Sequence, residues 1–83
     1  MTTEELKENK HITYRCKPKR NSVLTVYDFM SIALYTTQKW EVIYTGEGNR
    51  DRCYRVNRKN VTLYMTEIEF NENFELKYKI GVE

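Results

Sequence analysis

The stretch from Asn21 to Gln38 runs eighteen residues with a single charge, Asp28, in a chain of which 31% is charged. So quiet a stretch has to be covered, and it narrows the possible folds more than any other segment. At helical period its apolar residues fall on two faces: Val23, Val26, Tyr27, Met30, Ala33 and Leu34 on one, Phe29, Ile32 and Tyr35 on the other. Thr25 followed by Asp28 resembles a capping box with Asp in place of Glu, and Asp28 suits the positive end of a helix dipole. The pattern predicts a helix from about Val26 to Thr37. Its β-branched Val26, Ile32, Thr36 and Thr37 are mediocre helix formers, so tertiary packing has to hold it. A buried strand across Leu24 to Ala33 is the rival reading.

The rest of the chain alternates. Residues 1–10 are polar, with Thr3 able to cap one turn through Glu4, Glu5 and Leu6, and are expected to be mobile or loosely docked. From His11 to Lys17, Ile12, Tyr14 and Cys16 alternate with polar residues as in a strand that Pro18 ends. Trp40, Val42 and Tyr44 repeat that period, and Gly46 to Arg50 reads as a flexible loop. Across Asn57 to Asn60 a hairpin is expected with Val56 opposite Val61, Tyr54 opposite Leu63 and Cys53 opposite Tyr64. A last hairpin turns at Asn71, Glu72 and Asn73, pairing Phe70 with Phe74, Ile68 with Leu76, Thr66 with Tyr78, Tyr64 with Ile80, and Glu67 with Lys77. Between Val61 and Phe70 the apolar phase slips from odd to even positions, which a bulge near Thr66 and Glu67 or a coiled strand would reconcile. The expected architecture is α+β in the order β-α-β-β-β-β, one α-helix packed on a strongly bent antiparallel β-sheet, with residues 11–83 as its single domain.

At 83 residues, folding buries only roughly 60 to 65% of the unfolded surface, so no second domain or large internal pocket, and no small-molecule substrate, is expected. Cys16, Cys53 and the lone His11 make an incomplete metal set, so neither metal nor cofactor is expected, and two reduced thiols without a leader pattern suggest a cytoplasmic protein. The quiet stretch is too polar and too short to span a membrane. Catalysis lacks parts: Ser22 and Ser31 have only His11 as a base, and Gly46 with Gly48 does not make a phosphate loop.

Binding remains. If the quiet helix covers the sheet with one face, Phe29, Ile32 and Tyr35 are left for a protein partner or a second copy, unless the first strand or N-terminal tail folds over them. Glu67, Glu69, Glu72 and Glu75 offer a row of carboxylates that mimics phosphates and blocks a basic groove. Richness in Lys, Asn, Glu, Ile and Tyr suggests an AT-rich genome, and with it a phage or mobile-element accessory protein that binds and inhibits a host or phage protein. The alternative is a nucleic-acid-binding regulator that uses Arg15, Lys17, Lys19 and Arg20 with Arg52, Arg55, Arg58 and Lys59, and stacks bases on Tyr14 and Tyr54.

Overall fold

The computed structural model describes residues 2–26, 29–49 and 52–82. Most of them lie in strands. Helix α1 (Thr3–Glu8) is followed by β1 (Ile12–Pro18), β2 (Ser22–Val26), β3 (Met30–Leu34), β4 (Trp40–Asn49), β5 (Arg52–Arg58) and β6 (Val61–Met65), then helix α2 (Glu67–Asn73) and β7 (Phe74–Val82). Five strands form an antiparallel sheet in the order β6, β5, β4, β1, β7, while β2 and β3 pair only with each other. The expected β-α-β-β-β-β order, with one helix on a bent sheet, is therefore overturned.

The quiet stretch is a β-hairpin and not a helix. Pairing of Leu24 with Ile32 and Ser22 with Leu34 turns Leu24, Val26, Ile32 and Leu34 toward the core, and leaves Val23, Thr25, Ser31 and Ala33 outside. The β-branched residues that weakened the helix favour this outcome, because two short strands collect on one face the apolar residues a helix would split between two. Thr25, assigned to a cap, is a strand residue; Tyr27 and Asp28 lie outside the described residues.

The second correction concerns the phase slip. The strand ends at Met65, and Thr66 caps α2: its hydroxyl accepts from Glu69 N (3.1 Å), while Glu69 Oε1 accepts from Thr66 N (2.9 Å). Thr-Glu-Ile-Glu is a true capping box. Odd-numbered Val61, Leu63 and Met65 belong to β6, and Phe70 belongs to the helix. No hairpin turns at Asn71 to Asn73; β7 pairs with β1, Ile12 opposite Val82 and Pro18 opposite Phe74. Further up the chain the β5–β6 register is slipped by two, with Arg58 opposite Val61 and Val56 opposite Leu63 across a tight turn in which Lys59 takes φ 54°. A slip of two keeps every side chain on its expected face. In place of a loop from Gly46, β4 continues to Asn49 through an irregular register at Gly46 (φ 74°), and Arg50 lies outside the described residues.

The inner face of the large sheet is closed by α1, α2 and the hairpin, which contribute Leu6, Phe70, and Leu24, Val26 and Leu34 to one core. Leu6, on the segment expected to be mobile or loosely docked, is fully buried. Through that core runs a train of rings, Tyr44, Tyr54, Phe70, Phe74 and Trp40, with successive centroids 5.1 to 5.8 Å apart. The outer face of the sheet is left to solvent along much of its width, and among the described residues no helix is long and apolar enough to cross a membrane.

Candidate nucleic-acid interface

Because β-strand side chains alternate, the polar residues between the core positions of β1, β4, β5 and β6 all emerge on the outer face. Register carries one row across all five strands: Thr62, Asn57, Glu41, Arg15 and Tyr78. Tyr64, Arg55 and Ile43 make a second row beside it.

Three shallow hollows follow these rows. The first, about 460 Å³, is lined by Thr13, Ile43, Arg55 and Tyr64 together with Glu41 and Asn57. The second, about 380 Å³, shares Glu41 and Asn57 with it and adds Arg15, Lys39, Arg58 and Lys59. The third, about 350 Å³, shares Arg15 and the Thr37 to Lys39 loop with the second and adds Lys17, Lys77 and Tyr78. That loop is fixed by side-chain hydrogen bonds, one of them from the core. Gln38 Oε1 accepts from the indole Nε1 of buried Trp40 (3.0 Å) and from Tyr35 N (3.2 Å), and Thr36 N donates to Asn21 Oδ1 (2.9 Å).

The hollows gather seven cations, Arg15, Lys17, Lys39, Arg55, Arg58, Lys59 and Lys77, and two nearby carboxylates, Glu41 and Glu75. Seven cations against two carboxylates among the described residues make the strip strongly positive in a chain whose totals are 14 and 12. Three ion pairs within the strip are exposed or long: Arg15 to Glu41 and Lys17 to Glu75 at 3.7 Å, and Lys77 to Glu75 at 2.9 Å. Such pairs hold their partners weakly. The Lys77 ammonium keeps the Glu75 carboxyl below its ordinary range. Arg15 reaches the Trp40 carbonyl only at 3.5 Å and Glu41 only at 3.7 Å, so the terminal nitrogens of a guanidinium suited to oxyanion binding are weakly held, while its Nε is buried without a hydrogen-bond partner. Cys16 also lines the third hollow, but burial pushes its thiol well above the ordinary value and leaves it protonated and unreactive.

Of the eight basic residues singled out in the sequence, the fold brings together Arg15, Lys17, Arg55, Arg58 and Lys59. The other three lie elsewhere. Arg52 bonds Glu69 (3.1 Å), Arg20 donates to the Glu72 carbonyl (3.2 Å), and Lys19 lines a separate hollow beside Phe70 and Phe74. Lys39 and Lys77 stand outside the two basic segments of the sequence, and only the folded chain brings them to Arg15. Tyr14 and Tyr54 are core residues, and the aromatic rings in the strip are Tyr64 and Tyr78.

The protein-binding candidates are dispersed. Ile32 packs against the core, Phe29 follows the hairpin turn and Tyr35 follows β3, so the three do not form one face. Glu67 bonds Lys7 (2.7 Å), Glu69 bonds Arg52 and Glu75 bonds Lys77, while Glu72 is exposed on α2. Among the described residues no three His, Cys, Asp or Glu side chains come together as a metal set. Comparison with family models, curated proteins and solved structures finds no match to this chain.

Proposed function

We propose that the chain is a nucleic-acid-binding module that holds the phosphate backbone along the outer face of its sheet. The observation that carries this reading is the convergence of seven cations on three adjoining hollows in a chain whose net charge is only +2. Phosphate contact through Lys and Arg is sequence-independent and releases counterions, so affinity falls steeply with salt. If about four phosphates are engaged, binding of a fluorescent oligonucleotide should weaken roughly fifty-fold between about 50 and 200 mM salt. The Lys39→Ala, Lys59→Ala double variant changes two exposed side chains. It should weaken binding on every sequence alike, lower the salt slope by about 1.5 and leave the melting midpoint in place. Failure to retain any DNA or RNA at low salt would remove the reading. A cytoplasmic setting goes with it, since both cysteines are unpaired thiols.

A second reading, binding of a protein partner or a second copy, is supported by the hairpin. It exposes Val23 on its outer side and Tyr35 just past β3, while Phe29 at the turn and Met30, the partner of Val26, are exposed at its tip. Val23→Asp should then abolish association in sedimentation velocity without lowering the melting midpoint. A monomeric wild type that captures no protein would rule this reading out.

A further inference from the structure

Resting on the phosphate-binding reading, we infer that the third hollow takes an unpaired nucleotide, with its base stacked on Tyr78 and its phosphate held by Arg15 and Lys77, so that the preferred ligand is a single strand. The deciding feature is the register of β7. Cys16 lies opposite Leu76 but Arg15 lies opposite Tyr78, so Lys77 is an extra residue in the strand. In a regular strand, neighbours point to opposite faces. Here the irregularity lets consecutive Lys77 and Tyr78 line the same hollow, an ammonium beside an aromatic ring. Tyr78 is 55% exposed, which leaves its ring accessible, and it shares a row with Arg15. The hollow, about 350 Å³, is of small-ligand size and sits beside the edge strand of the sheet, where a passing strand can enter and leave. A duplex keeps the faces of its bases stacked and offers none to Tyr78, whereas an unpaired base of any kind has a free face.

The test compares fluorescent dT12, the dA12·dT12 duplex and oligouridylate U12 at low salt, using the intact chain and its Tyr78→Ala and Tyr78→Phe variants. A single strand, DNA or RNA, should bind at least tenfold tighter than the duplex. Tyr78→Ala should weaken single-strand binding by roughly 5- to 150-fold, the range for losing one stacked base, and leave duplex binding unchanged, while Tyr78→Phe keeps the affinity. Equal or tighter duplex binding, or no single-strand loss in Tyr78→Ala, would overturn the nucleotide site and leave the phosphate reading standing. Absence of binding to all three ligands would overturn both. Unchanged melting of the two variants shows that any loss comes from the ring and not from the fold.

Discussion

Glu67 fastens the N-terminal helix to the rest of the molecule. Its Oε1 lies 2.7 Å from Lys7 Nζ, and its Oε2 accepts from Thr3 Oγ1 at 3.0 Å, so two residues of α1 meet one carboxylate of α2. Between them Leu6 is buried in the core. The hydrogen bond from Lys7, and then that from Thr3, holds the Glu67 carboxyl below its ordinary 4.5. A carboxyl with a depressed folded value adds stability above its unfolded value and loses it as pH falls through the folded one. At neutral pH, Glu67→Gln should therefore be less stable than the natural chain, by no more than about 1 kcal/mol because the pair is part-exposed. The difference should vanish on acidification to below the folded value, where the natural side chain is also neutral. Melting midpoints of the two chains between pH 7 and 3 give the answer, and a gap that stays constant would show that the charge on Glu67 contributes nothing to the latch.

At the scale of elements, the legible parts were those in which one period ran without interruption. Ile12, Tyr14 and Cys16, and Trp40, Val42 and Tyr44, mark the inner faces of β1 and β4, and a two-residue error in the β5–β6 turn changed no face. The quiet stretch misled because two five-residue strands joined by a short turn can imitate helical spacing: Val26, Met30, Ala33 and Leu34 fall at helical intervals although Val26 and Met30 are cross-strand partners. Its β-branched content pointed the other way, and tertiary packing sided with it. At α2 the signal was present and unused. Thr66 and Glu69 spell a capping box more fully than Thr25 and Asp28 do, and the phase slip is the change of period from strand to helix rather than a bulge. The basic strip was half legible. Arg15 and Lys17, and Arg55, Arg58 and Lys59, stand in two sequence clusters, but their meeting depends on β4 pairing with both β1 and β5, which no local pattern encodes.

For the molecule as a whole, the decisive pairing joins its two ends. β1 is central only because β7 returns to it, with Ile12 opposite Val82, and closing a loop of that length costs entropy that local contacts cannot offset. The side chains that reward the closure sit at the start of β7. Phe74 stacks on Phe70 (5.6 Å) and meets the edge of Trp40 (5.5 Å), and so connects α2, β4 and the returning strand in one contact. The same seam builds the third hollow, with Arg15 and Lys17 from β1 and Lys77 and Tyr78 from β7. Phe74 is buried and lines none of the three hollows, which makes it a test of whether the fold assembles the site. Phe74→Ala should cost about 3 to 5 kcal/mol in urea unfolding, against a total of roughly 4 to 12 kcal/mol for a chain of this length. Saturating oligonucleotide should then raise the melting midpoint of the variant, because a ligand that binds only the closed seam shifts the equilibrium toward it. An oligonucleotide that binds with equal affinity to the unfolded variant would show that charge alone, without the β1–β7 seam, accounts for the binding.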